Sequence, residues 1–401
     1  MPRSRDRAGH GVRVLVVCPT EYGGQIEHAA DTAMALATDP RTQRVVLLSR
    51  KGADAYLGRP RIEGLQIVET IPPRRTGSGA LHRGIQILDL VREHLQIRRL
   101  AAQAGPGAVV ALDSSKYPFP SVLTPGRGQA SVLFLHNVRP HHDDAGAPLR
   151  LRLLRRFELG AATSCDRVIV HGRDQQDTAR ANLGEIHGDL VAVALPTSTR
   201  IDEAATAESI PVSLDDDGPA ASTRLELPEQ PYALVLGELR ANKGVELAID
   251  AAGMAGVPLL VAGRAESPEL AATLRERVER AGTVRLEDRF LERSEFQRAL
   301  EGAAVVVLPY THFDAQSGIL AKAIAAGLPV VASDLASLRE QNGTHAPARF
   351  ADIHDRAAFA AALRKAFDDA VAAGPHTGAG TSSHADWEPT VEAVLGADPH
   401  G

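Results

Sequence analysis

Four features that mark other classes of protein are missing from this 401-residue sequence. The first is a basic excess: 44 lysine and arginine residues face 50 acidic residues, and the net charge is −6. Proteins that bind nucleic acid through a charged surface carry the opposite balance, so we expect no nucleic-acid partner. The second is a long apolar run of the length that crosses a bilayer, so we expect no integral membrane span.

The third feature that the sequence lacks is abundant cysteine, and the fourth is the pattern expected of a secretory leader. Only Cys18 and Cys165 occur, and both lie in or beside apolar runs, which favours buried core side chains over a disulfide, a metal site or a nucleophile. The N-terminal arginines precede only the short run Val12–Cys18, which Arg13 interrupts, and this run suits a buried strand better than a leader. These absences lead us to expect a cytoplasmic enzyme.

The N-terminal half alternates short apolar runs with stretches of helical periodicity. Apolar residues recur at helical spacing between Ile26 and Leu36 and again through Gly84–Ala102. Alternation of this kind is typical of a doubly wound parallel sheet with helices on both faces. The apolar runs predict strands at Val12–Cys18, Val45–Ser49, Val109–Leu112, Val132–Leu135, Val168–Val170 and Val191–Ala194.

A second set of alternating elements follows after a break. From about Thr199 to Pro231 the chain is rich in alanine, serine, threonine, proline and acidic residues. Three adjacent aspartates in this stretch, Asp215–Asp217, fit a solvated linker better than a cation site. Alternation then resumes at Ala233–Gly237, Val245–Ala252, Pro258–Gly263, Glu269–Ala281, Val284–Leu286, Ser294–Leu300, Val305–Pro309, Gly318–Ala326 and Val330–Ser333.

This pattern predicts two domains, as does the length of the chain. We place an N-terminal Rossmann-like domain at residues 11–200, a linker or insertion at 201–230, a C-terminal Rossmann-like domain at 231–375 and a tail at 376–401. The tail is either loose or a crossover that returns to the first domain. Two such domains in tandem place a ligand crevice between the carboxyl ends of their sheets.

The segment from Tyr310 to Asp334 carries the clearest chemical signal. It follows a buried strand, contains a polar loop and a small-residue helix, and ends in a second buried strand, which is the βαβ unit of a parallel sheet. Gln316, Ser317 and Gly318 stand where the helix begins, and free backbone N–H groups and the helix dipole favour an anion there. We therefore expect a ligand that bears phosphate.

Two glycine-containing turns are consistent with an anionic ligand. Gly23 and Gly24 follow the first strand and permit the positive φ or close approach of a phosphate-facing turn, or they form an ordinary turn. Lys243 follows a strand and a polar turn, so its ammonium points into the predicted crevice unless it is a solvated surface lysine. The guanidinium of Arg240 could form a bidentate contact with the same phosphate-bearing ligand.

Four stretches together resemble the nucleotide-sugar glycosyltransferases of the GT-B fold, family-four retaining type. They are Tyr22–Gly24 with the four residues that follow, Leu135–Asn137, Gly237–Gly244, and the segment from Tyr310 that ends with Ala323–Val331. The resemblance implies an α/β GT-B fold, with two Rossmann-like doubly wound domains that face each other across a cleft. It also implies that the N-terminal domain binds the acceptor and the C-terminal domain binds the nucleotide-sugar donor.

The resemblance further implies roles for single residues. In the family, the lysine at the position of Lys243 contacts the donor diphosphate, and Arg240 fits a variant of that motif. A histidine at the position of His136 lies near the reacting sugar, although a hydrogen-bonded structural histidine is the alternative here. Asp314 occupies the place of a carboxylate that contacts hydroxyl groups of the transferred sugar. We therefore expect His136 and Asp314 to be the catalytic residues that orient the sugar.

The sequence departs from the family at two points. Glu238 stands where the family pattern has an arginine, and Lys322 stands where a second glutamate accepts hydrogen bonds from the ribose. Lysine has donors only and cannot hold the ribose in that way. The loop Gln316–Gly318 resembles a subgroup in which the pair of glutamates is relaxed. Glu340 matches a later acidic position, and it either supplies the missing acceptor or is a salt-bridged surface glutamate.

We expect neither a metal nor a cofactor. His141–Asp144 contains candidate metal ligands, but it has no second group at ligand spacing and suits an acceptor-facing loop better. The resemblance implies the same, because transferases of this fold use no catalytic metal as a rule. The predicted donor-binding residues are Gly23, Gly24, Arg240, Lys243, Gln316, Ser317, Gly318, Lys322 and Glu340.

The predicted function is transfer of a sugar from a nucleoside-diphosphate donor to an unidentified small-molecule or glycan acceptor, with retention of configuration. Two alternatives stay open. One is a nucleotide-sugar epimerase on the same fold. The other is a non-catalytic module that binds nucleotide sugars, for which Glu238 and Lys322 are the argument in the sequence.

Overall fold

The computed structural model describes residues 11–71, 80–113, 128–136, 160, 162–183, 186, 188–197, 225–345, 347–374 and 384–396. These residues form two compact units. Residues 11–194 and 384–396 belong to the first, and residues 195–197 and 225–374 belong to the second. No helix in these ranges is both long and apolar enough to cross a membrane. Most of the predicted linker 201–230 and the predicted loop His141–Asp144 lie outside the described residues.

The first unit is built on a parallel sheet of seven strands in the order β3-β2-β1-β4-β5-β6-β7. Along β1, Val14 and Val16 pack into one core layer, and Leu15 and Val17 pack into the other. A strand buried on both faces needs apolar side chains in both directions, which explains the continuous apolar run. The strands are β1 (Val12–Val17), β2 (Thr42–Arg50), β3 (Leu65–Ile71), β4 (Val109–Leu112), β5 (Ala130–Phe134), β6 (Arg167–His171) and β7 (Asp189–Val193).

Helices cover both faces of this sheet. One face is covered by α1, which contributes Ile26, Ala29 and Met34 to its core layer. The opposite face is covered by α3, which contributes Ile97 and Ala101. The helices described between the strands are α1 (Gly24–Thr38), α2 (Ala53–Tyr56), α3 (Ala80–Ala104) and α4 (Arg173–Leu183).

The second unit repeats this plan with six parallel strands in the order β10-β9-β8-β11-β12-β13. Ala233 and Val235 of β8 face one core layer, and Leu234 and Leu236 face the other. The strands are β8 (Ala233–Leu236), β9 (Leu259–Ala262), β10 (Val284–Glu287), β11 (Val305–Leu308), β12 (Val330–Ser333) and β13 (Ala348–Ala351). The helices are α5 (Val245–Ala255), α6 (Pro268–Ala281), α7 (Arg293–Glu301), α8 (Gly318–Ala325), α9 (Ala336–Asn342) and α10 (Arg356–Ala373).

The C-terminal segment returns to the first unit. After a turn of 3-10 helix at His384–Trp387, helix α11 (Glu388–Leu395) begins. Trp387, Val391 and Val394 pack into the same core layer as α1. Arg167 also donates from Nη1 to the carbonyl oxygen of Ala393 at 2.9 Å. The part of the predicted tail that the structure describes is therefore an integral helix of the first unit.

The predicted α/β class, with two Rossmann-like doubly wound sheets, is confirmed. The strands predicted at Val109–Leu112 and Val330–Ser333 have these bounds in the structure. Sequence reasoning missed two edge strands, β3 and β13, because their side chains are mostly half-buried and polar residues interrupt the apolar run. It also missed helices α2, α4, α9, α10 and α11. Both cysteines are free and buried, as predicted.

The strand order places one switch point in each sheet. The chain fills one side of the sheet from β1 and then crosses to β4 on the other side, and it does the same at β8 and β11. In open α/β sheets, ligands bind at the carboxyl ends of the strands that flank such a point. The loops after these four strands are therefore the places where functional side chains are expected.

Candidate functional site

The loop after β8 in the second unit is the lysine turn (Glu238–Gly244). It contains one turn of 3-10 helix at Ala241–Lys243, and Gly244 then leads into α5 with a φ of 59°. A side chain at Gly244 would place its Cβ 1.9 Å from the carbonyl oxygen of Pro309. Only glycine allows this approach. The lysine turn is therefore packed directly against the end of β11.

Hydrogen bonds fasten the lysine turn to its surroundings. The carbonyl oxygen of Asn242 accepts from the backbone N–H of Thr311 at 2.9 Å and from the Thr311 hydroxyl at 3.1 Å. The backbone N–H of Ala241 donates to Glu266 Oε1 at 2.7 Å. The loops on the two sides of the switch point are thus joined, and together they fix the position of Lys243.

The ammonium group of Lys243 lies over the ring of Tyr310, with Nζ 5.9 Å from the ring centroid. It also borders Gly237, where a Cβ atom would lie 3.5 Å from Nζ. No carboxylate among the described residues forms an ion pair with it. Burial lowers the pKa of Lys243 to about 8, with the Arg240 charge adding to the effect and Glu238 opposing it. An anionic ligand would stabilise this desolvated cation.

Arg240, the second predicted cation, is paired within the same turn. Its Nη2 donates to Glu238 Oε2. The side chains of Arg240 and Glu238 are 39% and 53% exposed, and exposed pairs contribute about 0–1 kcal/mol. Glu238, which departs from the family pattern, therefore offsets the charge of Arg240. A diphosphate could displace such a weak pair.

Ser317 holds the start of α8 and is only 3% exposed. Its Oγ accepts from the backbone N–H three residues further on at 3.3 Å and pairs with the Tyr310 hydroxyl at 3.0 Å. Gln341 accepts from the backbone N–H of Ser317 at 2.6 Å and donates to its carbonyl oxygen at 2.8 Å. Ser317 therefore positions the helix, and the first-turn N–H groups of Gly318 and Ile319 are the ones left for an anion.

The two polar residues before α8 also have partners. Gln316 Oε1 accepts from the backbone N–H of Leu195 at 2.5 Å, and Leu195 belongs to the same unit. Asp314 Oδ2 lies 3.1 Å from His312 Nε2. The roles predicted for Gln316 in donor binding and for Asp314 at the transferred sugar stay predictions.

Lys322 and Glu340 lie on the two helices that follow β11 and β12. Lys322 on α8 places Nζ 5.9 Å from the ring centroid of Phe296 on α7. Glu340 on α9 is exposed. Contacts through Tyr310 thus bring Lys243 and Ser317 together. The donor contacts predicted for these two residues, and for Lys322 and Glu340, stay predictions.

In the first unit, Gly23 and Gly24 stand at the start of α1. Gly23 has a φ of 90°, and a Cβ at either glycine would meet no atom within 4 Å. The backbone of Gly23 therefore favours glycine, and there is open space beside the helix start. Gln25 ties this start to the end of β4, because its Nε2 donates to the carbonyl oxygen of Asp113.

A buried carboxylate and three histidines lie at the strand ends of the first unit, and we call them the histidine cluster (His28, Asp113, His136 and His171). Asp113 directly follows β4, and His171 ends β6. His28 Nδ1 donates to Asp113 Oδ2 at 2.9 Å, and His136 Nε2 bonds with Asp113 Oδ1. The predicted residue His136 is therefore part of a hydrogen-bond network that joins α1 to the ends of β4 and β5, and the His171 ring packs beside this network.

The charges within the histidine cluster are unequal. Burial alone would raise the pKa of Asp113, but His136 and His28 hold it well below its usual range, so the carboxylate is ionised. Burial alone would lower the pKa of His136, yet the Asp113 carboxylate raises it. Burial holds the pKa of His171 well below its ordinary value, with His28 and His136 adding to the effect. His171 is therefore neutral.

Sequence reasoning predicted His136 but missed the other members of the cluster. A signal for two of them was present. Asp113 directly follows the predicted strand Val109–Leu112, and His171 directly follows Val168–Val170. Polar residues at the carboxyl ends of parallel strands are where ligands bind in this class of fold.

Part of the second unit is similar to a known protein family. Residues 230–369 match the sequence model of the family described as Glycosyl transferases group 1. Residues 230–369 are therefore similar to a group 1 glycosyltransferase domain. The matched residues include the lysine turn and α8, so both parts of the predicted phosphate site lie within the matched segment. No curated protein matched the sequence.

Solved structures share the fold over almost the whole chain. Sucrose-phosphate synthase from Thermosynechococcus elongatus has a TM-score of 0.63 at 17% identity, covering 96% of this chain and 95% of that one. The N-terminal domain of trehalose-6-phosphate phosphatase from Candida albicans has a TM-score of 0.63 at 11% identity, covering 98% of each chain. HepE from Anabaena, in complex with UDP-glucose, has a TM-score of 0.59 at 13% identity, covering 96% of this chain and 95% of that one. At these identities the likeness establishes the fold alone, and the predicted GT-B fold is confirmed.

Proposed function

We propose that this protein is a nucleotide-sugar glycosyltransferase that moves a sugar from a nucleoside-diphosphate donor to a small-molecule or glycan acceptor in the cytoplasm. The observation that carries the proposal is Lys243, a desolvated cation with no carboxylate partner among the described residues, placed at the switch point of the second unit. Two further findings support it. The residue lies within the segment that matches the group 1 glycosyltransferase family, and a protein of the same fold was solved with UDP-glucose.

The diphosphate is the part of the donor that Lys243 would bind. A charge-assisted hydrogen bond from its ammonium grows stronger as the departing diphosphate gains negative charge. The N–H groups of Gly318 and Ile319 add donors at the helix start. Because these groups are held in place before the reaction, they stabilise the leaving group without rearrangement. Burial raises the pKa of Tyr310 to about 12, so the ring beneath Lys243 stays a neutral phenol.

Retention of configuration is the outcome that we propose for the sugar. Attack from the face that the diphosphate leaves requires neither a covalent enzyme intermediate nor a metal. His136 and Asp314 are the residues that we assign to orient the transferred sugar. Arg240 would join the diphosphate site only after it leaves Glu238.

Turnover of nucleotide sugars tests the proposal. The full chain would be incubated with UDP-, ADP- and GDP-sugars in the presence of a chelator, and the release of nucleoside diphosphate would be followed. We expect slow release from one donor alone and faster release when glycan or small-molecule acceptors are added. NMR of the product would read the anomeric configuration. Binding of a donor without release of its diphosphate under any condition would contradict the proposal.

A non-catalytic module that binds nucleotide sugars is the second candidate. The pairing of Arg240 with Glu238 favours it, because this pair leaves Lys243 as the main positive charge of the lysine turn. Glu238→Arg restores the residue of the family pattern and separates the two candidates. An active transferase should keep its turnover or gain some, whereas a binding module should gain donor affinity and still show no turnover.

A further inference from the structure

Three imidazole rings of the histidine cluster converge on one place in the first unit. One ring nitrogen from each of His28, His136 and His171 lies within 4.8 Å of the other two. The ring centroids are 5.0 Å apart for His28 and His136, 5.1 Å for His28 and His171, and 5.3 Å for His136 and His171. Three imidazoles bound to one tetrahedral ion would have centroids roughly 5 Å apart, given the usual zinc–nitrogen bond length. The separations of the three rings therefore match those expected around one bound ion.

Asp113 holds two of these rings in the way that metal-binding histidines are usually held. Its two carboxylate oxygens accept from one nitrogen each, His28 Nδ1 at 2.9 Å and His136 Nε2. Histidines that bind a metal almost always donate their other ring N–H to a carboxylate or a carbonyl, which fixes the tautomer and the ring orientation. With the proton on the nitrogen that faces Asp113, the second nitrogen of each neutral ring can accept a metal ion.

Buried nitrogen atoms of the cluster lack partners. His28 Nε2 and both ring nitrogens of His171 are buried, and none of them has a hydrogen-bond partner among the described residues. The side chains of His28 and His171 are 8% and 4% exposed. The carbonyl group of Val193 interacts with the His171 ring without a hydrogen bond of ordinary geometry. Buried polar atoms are nearly always paired in folded proteins, so these nitrogens indicate a shared ligand.

We propose that His28, His136 and His171 bind one divalent transition-metal ion, Zn²⁺ or an ion of similar ligand preference. Imidazole nitrogen suits zinc, whereas Mg²⁺ and Ca²⁺ prefer oxygen ligands. Three protein ligands leave a fourth position for water or another ligand. The test reads metal content and not sugar transfer, so its outcome can be told apart from that of the transferase proposal. Asp113 and the ion would together occupy both ring nitrogens of His136, so this residue could contact the transferred sugar only in the metal-free protein.

Zinc binding by the full chain is the test. The protein would be treated with chelator, dialysed, and titrated with Zn²⁺ in a calorimeter, with metal analysis of the dialysed complex. We expect one zinc per chain in the wild type and at least tenfold weaker binding in His171→Phe, which keeps an aromatic ring beside its neighbours. His354→Ala changes an exposed histidine outside the cluster and should bind zinc like the wild type. Mg²⁺ should not displace the zinc.

A second pair of variants keeps the test decisive. Asp113→Asn preserves the size of the side chain but weakens the outer hydrogen bonds, and it should lower zinc affinity by about 10–100-fold. If His171→Phe does not fold, His136→Ala takes its place, since the His136 side chain is 27% exposed and tolerates truncation better. Absence of stoichiometric zinc uptake by the wild type would overturn the proposal. Equal uptake by the wild type and the cluster variants would overturn it as well.

Discussion

The two units share one strand order, yet their switch points carry opposite chemistry. In the second unit, the loops after β8 and β11 present the Lys243 ammonium beside the start of α8. In the first unit, the region after β1 and β4 presents the ionised Asp113 carboxylate with histidines around it. One arrangement suits an anion and the other suits a cation. The topology thus determines where ligand sites are expected, and the side chains determine which kind of ligand suits each site.

The two sites are also held together differently. The lysine turn depends on backbone contacts, above all the approach of Gly244 to Pro309 and the two bonds that Asn242 accepts. The histidine cluster depends on side chains that are distant in sequence, since His28 and Asp113 are 85 residues apart. Changes of backbone freedom should therefore damage the second unit most, and changes of side-chain chemistry should damage the first.

The largest expected effect is on the backbone of the lysine turn. Gly244→Ala would force a Cβ to 1.9 Å from the Pro309 carbonyl oxygen, so the turn has to move, and we expect a loss of about 3 kcal/mol or more of unfolding free energy. Gly256→Ala is the matched control, because its φ of 63° is similar but a Cβ there meets nothing within 4 Å. The control should lose only about 1–2 kcal/mol. Equal losses in urea denaturation would contradict the packing of the turn.

The next prediction concerns how diphosphate binding depends on pH through the ammonium charge of Lys243, which distinguishes the second site from the first. Because the pKa of Lys243 is lowered to about 8, the free protein loses this proton above that pH, and diphosphate binding must restore it. We expect affinity for a nucleoside diphosphate to fall by up to about tenfold per pH unit above 8, with proton uptake on binding. Calorimetry at pH 9 in buffers of different ionisation enthalpy measures this uptake. Lys243→Arg should abolish it, since guanidinium stays protonated. If Lys243→Arg takes up as many protons on binding as the wild type, the proton is bound by a group other than Lys243.

A smaller effect separates the two roles of Ser317. Ser317→Ala removes the cap of α8 and also the hydrogen-bond partner of the buried Tyr310 hydroxyl, so we expect a loss of about 2 kcal/mol in unfolding free energy. Ser267→Ala removes a cap of the same kind from α6, where Ser267 accepts from the N–H of Leu270 at 3.2 Å. This control should lose about 1 kcal/mol. Equal losses would mean that the Tyr310 contact contributes nothing to stability.

Much of the fold could be predicted from the sequence because buried parallel strands are continuous apolar runs. The strand Val109–Leu112 is buried throughout and had no competing interpretation. The edge strand β3 has no such run. It pairs with a neighbouring strand on one side only, so most of its side chains are only half-buried. Helix α4 has few buried residues, so its apolar period is weak. These elements form because of contacts with residues distant in sequence, and such contacts cannot be read from a local pattern of apolar residues.

The candidate site was predictable only where its parts are local in sequence. Lys243 and Ser317 lie in short motifs that combine a turn with a helix start, and both were predicted. The pairing of Arg240 with Glu238 was not predicted, although only two residues separate them. Nothing in the local surroundings of His28 distinguishes it from a core histidine. His171 directly follows a predicted strand, but its contact with His136 could be inferred only with knowledge of which strands are neighbours.

The most direct test of the cationic site is calorimetric titration with a nucleoside diphosphate, UDP or ADP, at pH 7. Three proteins would be compared: the wild type, Lys243→Ala, and His171→Phe as a variant of the other switch point. A charge-assisted hydrogen bond contributes about 1.5–3 kcal/mol, so Lys243→Ala should bind about ten- to a hundredfold more weakly. His171→Phe should bind like the wild type. Wild-type affinity in a folded Lys243→Ala protein would contradict the assignment of the diphosphate site to the lysine turn.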